Sequence, residues 1–250
     1  MEKLNQAFKS TCIALLGSEI GELEEFREYL TEMVPCPMKV KSFATGKTIF
    51  LSQQYYSKNA NFLELENLSK IKQKLDINEI KDLDSLLNSV KENFSYCGNN
   101  NIGNCMEVEN SDSCQDGAYI LNSHQLLGGK YVAYSHGIRK SEYVFGSVWS
   151  GEVGFLIRCH GLFFSRSCYE SYLSTKSMNL YFSFNCWGCS EMFLSFNQVS
   201  KKYCIGNLEL EKEKYFSLKT KLIAEITEDL KKSKKFPSLF EFCFGGDKNE

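Results

Sequence analysis

Between Tyr119 and Asn207 the apolar positions of this chain return about every 12 residues, and each return opens on a short apolar run closed by a small or aromatic residue. The copies read Tyr119-Ile-Leu-Asn-Ser123, Tyr131-Val-Ala-Tyr-Ser135, Tyr143-Val-Phe-Gly-Ser147, Phe155-Leu-Ile-Arg-Cys159, Leu180-Tyr-Phe-Ser-Phe184, Met192-Phe-Leu-Ser-Phe196 and Tyr203-Cys-Ile-Gly-Asn207. A fixed period of this kind predicts stacked, equivalent strands, and so a mainly β fold organised as a parallel, right-handed β-helix with 12-residue repeats. Because side chains alternate along a strand, positions one, three and five, as in Tyr119, Leu121 and Ser123, are expected inside. Twelve residues make a tight coil for interiors that bulky. Two repeats per turn, about 24 residues per rung with rungs about 4.8 Å apart, is the expected geometry, with a thin 12-residue coil or a meander as the alternative. One copy breaks the pattern: Cys168-Tyr-Glu-Ser-Tyr172 follows a 13-residue spacing and would turn Glu170 inward, which predicts a bulge or a change of register there.

Outside the repeat the period changes. Leu4, Phe8 and Leu15, then Ile20, Leu23, Phe26 and Leu30 behind the turn at Gly17-Ser18, have helical spacing. Met38 to Leu51 alternates around Thr45-Gly46-Lys47 and reads as a hairpin, and Ile80, Leu83, Leu87, Val90 and Phe94 return to helical spacing. After Asn207, Tyr215, Leu218, Leu222, Ile226 and Leu230 predict a long helix whose far end is crowded with lysine and is stopped by Pro237. The aromatic tail of Phe236, Leu239, Phe240, Phe242 and Phe244 is expected to fold back onto the body. Three regions result: residues 1–93 as a helical and hairpin domain, 94–207 as the solenoid, and 208–250 as a helix and tail capping it.

Composition narrows the class. The chain has 250 residues, 43% of them apolar and 24% charged, and a formal net charge of -2, which is long enough for a sizeable core and too balanced for a dedicated nucleic-acid or membrane-surface protein. Lys231, Lys232, Lys234 and Lys235 form a local basic cluster of the kind that usually ends a solvated helix. No apolar run approaches the length of a membrane span, and the absence of a secretion-type leader predicts a cytoplasmic location. In that compartment the 11 cysteines are expected as reduced thiols packed like small hydrophobes.

Candidate chemistry sits in three places. All 3 histidines, His124, His136 and His160, follow the fifth repeat position, and with two repeats per turn His136 and His160 would stack. The simpler account is that this position begins a turn. Cys159 with one of these histidines could be written as a nucleophile and base, although its position should be buried. Position two carries Ile120, Val132, Val144, Leu156, Tyr169, Tyr181 and Phe193, an apolar stripe expected to face outward and to be covered either by the terminal helices or by another chain. Cys186-Trp-Gly-Cys189 has zinc-knuckle spacing, with Cys204 nearby as a further ligand, but a second Cys-x-x-Cys is missing and no cofactor is the expected state. Gly46-Lys47-Thr48 lacks the first glycine of a phosphate loop, neither G-x-S-x-G nor H-E-x-x-H occurs, and Glu142, Glu152, Glu170 and Glu191 form no common column.

The stretch Asn185-Cys186-Trp187-Gly188-Cys189, followed by Lys201-Lys202-Tyr203-Cys204-Ile205, Asn207 and then Lys212, Glu213 and Tyr215, resembles the C-terminal element of a group of uncharacterised cysteine-rich repeat proteins of prokaryotes. The resemblance covers about a quarter of the chain and implies kinship without an activity. The pattern taken together predicts a non-catalytic binding or scaffolding protein that associates with another protein or with copies of itself, with no membrane role. The alternatives are an enzyme acting at His136 and His160, and a zinc-dependent nucleic-acid-associated protein using Cys186, Cys189 and the lysine cluster.

Overall fold

A residue with left-handed backbone recurs at every third position along the repeat, and this one fact sets the shape of the coil. Tyr119, Asn122, Gln125, Gly128, Tyr131, Tyr134 and Gly137 all have positive φ, and so do Phe182, Asn185, Gly188, Glu191, Leu194, Asn197, Ser200, Tyr203 and Gly206. Each such residue turns the chain, so simple alternation is reset before it can run. The residue after each corner points inward and the next points outward. Left-handed backbone costs a non-glycine residue about 1 kcal/mol, which the hydrogen bonds between turns offset. The structure is a computed structural model that describes residues 1–53, 55–58, 60–70, 78, 80–92, 95–139, 141–148, 151, 154, 156–161, 166, 168–172, 178–238 and 241.

The parallel coil expected from the period is present, but its turn is a single repeat. Strand pairs join residues 12 apart throughout: Lys130 with Glu142, Ser147 with Cys159, Tyr169 with Tyr181 and Ser190 with Lys202. The 24-residue rung is therefore replaced by the thin 12-residue coil, with a corner at every third residue and so four corners per turn. A coil this thin closes because only every third side chain points inward. The inward positions follow Ile120, Ser123, Leu126 and Gly129, two bulky and two small per turn. The bulky columns meet as one core: Ile120, Val132, Val144, Leu156, Cys168, Leu180, Met192 and Cys204 from one side, with Cys114, Leu126, Ile138 and Cys186 from the other. The register runs through Cys159 and Ser171 without a bulge at Glu170. A 13-residue step occurs at the first turn, where Asn101 lies opposite Cys114.

Serine fills the small inward column at Ser111, Ser123, Ser135, Ser147, Ser171, Ser183 and Ser195, all buried, with Cys159 taking one place. Each hydroxyl seen bonding here donates to the carbonyl two residues back, as Ser123 does to Leu121 at 2.8 Å and Ser135 to Ala133 at 2.7 Å, and Ser111 and Ser123 also accept the N–H of the serine one turn on, Ser135 N to Ser123 Oγ at 3.1 Å. Inward cysteines make the same bond: Cys114 to Asp112, Cys168 to Arg166, Cys186 to Phe184, Cys189 to Trp187 and Cys204 to Lys202. A thiol here is a larger, less polar serine, which accounts for much of the chain's cysteine content by packing alone.

One outward column is wrapped. Leu121, Ala133, Phe145, Ile157, Tyr169, Tyr181 and Phe193 form a second core with the helices α1 (Glu2–Leu16), α2 (Arg27–Thr31) and, beyond the separate helix α3 (Leu83–Glu92), α4 (Lys212–Ser233). Phe8 packs edge-on to Phe145 at 5.3 Å, the Tyr181 hydroxyl donates to the Leu15 carbonyl at 3.1 Å, and Tyr215 and Leu230 of α4 are fully buried. Gly146 lies so close to α2 that a Cβ there would stand 2.5 Å from the Leu30 carbonyl oxygen, and its φ is +74°. Beneath α2, Arg158 bonds Glu32 at 2.7 Å, while Glu170 accepts from the Tyr29 hydroxyl at 3.2 Å, so the glutamate assigned to a bulge is a buried anchor at a corner. After α4, Phe236 packs on Phe182 at 5.2 Å and Ser238 is buried, so the tail starts back along the body. Leu239, Phe240, Phe242 and Phe244 lie outside the described residues.

The N-terminal third therefore divides. Residues 2–31 share a core with the coil, whereas the hairpin β1 (Met38–Lys41) and β2 (Thr48–Leu51) and the parallel pair β3 (Asn61–Glu64) and β4 (Ser95–Gly98) stand at its first turn. Asp112 joins them, accepting the Ser52 N–H at 2.7 Å and the Asn100 N–H at 2.8 Å. At the other end Gln198 and Lys201 take the inward columns that Cys186 and Cys189 occupy one turn earlier. Gln198 donates to the Phe196 carbonyl and Lys201 bonds Glu209, so the core ends in polar side chains. A short antiparallel return, Leu208–Glu209 on Lys202–Ile205, then leads into α4.

Candidate functional site

The stripe proposed as an interaction surface is interior or covered. Ile120, Val132, Val144 and Leu156 are at most 1% exposed and fill the coil. Tyr169, Tyr181 and Phe193 belong to the next column, outward but beneath the helices. The two groups looked like one column because the later copies were aligned one residue out of step; the register pairs Tyr181 with Phe193 and Val132 with Val144.

Among the described residues no helix covers the opposite face. At the last turns it carries Trp187 and Val199, exposed by 54% and 68%, with Phe196 of the adjoining outward column, 43% exposed, beside them. Trp187 bridges to Val199 and Phe184 to Phe196 across one turn. Two left-handed asparagines between them form a ladder: Asn185 donates to Asn197 Oδ1 at 2.9 Å, and its own Oδ1 accepts from Trp187 Nε1 at 2.6 Å. The indole is thereby fixed, with its N–H satisfied and its face open to solvent. Residues 183–188 and 195–200 contain no charged side chain in a chain that is 24% charged. An ordered tryptophan in an uncharged patch is suited to contact with another molecule and to no proton transfer or metal ligation.

The histidine column exists, in a different pairing. His136 is one turn from His124 and from Val148, and Val148 separates it from His160. The rings of His124 and His136 lie one above the other on successive turns with centroids 4.4 Å apart and planes tilted by 48°, and neither Nδ1 has a hydrogen-bond partner among the described residues. Burial holds both imidazoles below the usual value, His124 down to about 4, with the adjacent His136 adding to the effect. The His160 side chain lies outside the described residues. Cys159 is inward and buried, and burial pushes its thiol well above the usual value, with Cys168 beside it contributing. That arrangement offers no thiolate to a base on the outward side.

Cys186, Cys189 and Cys204 do approach one another at the end of the core, but each sulfur donates to a backbone carbonyl, and burial pushes Cys186 up to about 11 and Cys204 upward as well. Among the described residues no group of His, Cys, Asp or Glu side chains is arranged to hold a metal ion, and the cysteines are free thiols. A cleft of about 640 Å³ between α2 and the end of α4 is lined by Glu25, Glu28, Glu32, Lys232 and Lys235. Lys234 spans it from Glu25 to the Ile20 carbonyl, which makes it a packing seam. Among the described residues no helix is long and apolar enough to cross a membrane. No protein-family model, curated protein or solved structure matches the chain.

Trp187 was legible only as part of a cysteine motif. Its exposure follows from the three-residue rule, which turns Cys186 and Cys189 inward and the residue between them outward.

Proposed function

We propose that this is a non-catalytic binding protein, a subunit of a larger assembly, whose β-solenoid presents the Trp187 face to another protein chain. The supporting observation is the fixed, half-exposed indole in an uncharged patch on a face that no described helix covers. Aromatic anchors ringed by neutral hydrogen-bonding groups carry most of the energy at protein interfaces. Neither alternative draws comparable support. His136 and His160 are two turns apart, and the three cysteine sulfurs are engaged as thiols.

The test is native mass spectrometry of the protein isolated from its own cells, repeated with Trp187→Ser and Val199→Asp. The complexes seen with wild type should weaken by more than about tenfold in either variant, in keeping with the loss of a hot-spot residue. A variant that keeps every partner of the wild type removes this face from consideration.

A further inference from the structure

The column holding Asp112, His124 and His136 runs along the outward side of the first turns, next to the place where the hairpin docks. His124 is 1% exposed, yet its Nδ1 and that of the stacked His136 have no partner among the described residues. Ordinary buried imidazoles settle against an acceptor that welcomes the proton. These two face each other instead.

Among the described residues the charged groups around them offer no compensation. Asp112, on the preceding turn and paired in register with His124, gives its carboxylate oxygens to the N–H groups of Ser52 and Asn100. On the strand that carries His136, Lys130 and Arg139 are exposed and can only add positive charge. On the following turn stands Val148, and His160 comes only after it. Glu142 pairs in register with Lys130, at the far end of that strand from His136. Further along the same column come Tyr172, three turns from His136, and then Phe184 and Phe196, none of which supplies an acceptor next to the pair.

We propose that the His124–His136 stack is an acid-sensitive latch, which keeps the first turns of the coil and the hairpin docked on Asp112 closed only while both imidazoles are neutral. A proton on either ring creates a buried N–H with no acceptor, and a proton on both sets two like charges face to face. The sign follows from linkage. The folded value lies below 6.5, so the latch is complete above the unfolded value and is lost as pH falls from about 6.5 towards 4. The device is independent of the Trp187 face, which lies in the turns without a titrating column.

Hydrogen exchange of the full chain at pH 7.4 and pH 5, corrected for the intrinsic pH dependence of exchange, reads the latch directly. One histidine moved from 6.5 to about 4 makes opening about 30-fold more populated at pH 5, so amides of residues 112–139 should lose protection by about that factor while residues 178–205 hold theirs. In a His124→Phe, His136→Phe double variant the loss should fall below about threefold. Equal acid loss in the variant, or uniform loss along the whole coil, overturns the proposal. Should the variant not fold, an NMR titration of wild type decides: imidazoles still neutral at pH 5.5 support the latch, and ordinary titration near 6.5 overturns it. A His160→Gln variant serves to assign the signals.

Discussion

The column of Leu121 and the column of Trp187 both point outward from the same coil, yet one is sealed under three helices and the other is bare. The covered column is apolar or aromatic at every described turn, from Leu121 through Tyr181 to Phe193, and its hydroxyls find partners on the helices, as Tyr181 does at Leu15. The column opposite mixes polar and apolar residues in the early turns, with Gln115, Leu127 and Arg139 all exposed, and carries Trp187 and Val199 in the late ones. Continuity of the apolar column recruits the helices. Apolar residues interrupted by Gln115 and Arg139 offer no continuous seat for a helix, and the Trp187 cluster at the last turns stays exposed.

Paired substitutions sharpen that contrast. The largest effect belongs to Val144→Asp, which puts a carboxylate into the filled interior. It should cost about 4 kcal/mol or more and abolish cooperative unfolding in urea, whereas Val199→Asp on the bare face should stay within about 0.5 kcal/mol. Comparable losses in both would mean that the bare face is structural. Gly146→Ala attacks the covered face through the backbone, because the methyl collides with the Leu30 carbonyl and the left-handed φ adds strain. A loss of about 1–3 kcal/mol, with increased proteolysis near α2, is expected. The mildest change is Tyr169→Phe, which removes the hydroxyl 3.1 Å from that of Tyr29 and should cost about 1 kcal/mol in thermal unfolding.

Period and architecture were legible because a 12-residue return survives any choice of which residues face inward. The facing was not legible from alternation alone. A strand rule with period two puts Tyr119, Leu121 and Ser123 on one side, whereas left-handed residues at Tyr119 and Asn122 impose period three and place Ile120 and Ser123 inside. Tyrosine, phenylalanine and leucine at left-handed positions gave no warning, since those residues seldom adopt them. A 24-residue rung would bring His136 next to His160, whereas the 12-residue turn sets His124 beside His136. The terminal helices were readable from spacing alone. Leu4, Phe8, Tyr215 and Leu230 are all buried as their periodicity implied.

Gln198 and Lys201 carry a last consequence. A stack of nearly identical turns has no intrinsic reason to stop, and an apolar end would be sticky toward the beginning of the next copy. Such a head-to-tail contact does not close on itself, so one apolar end per molecule is enough to grow a fibre. By placing an amide and an ammonium where the preceding turn has thiols, the chain leaves its core end wet, which works against head-to-tail growth of one coil on the next.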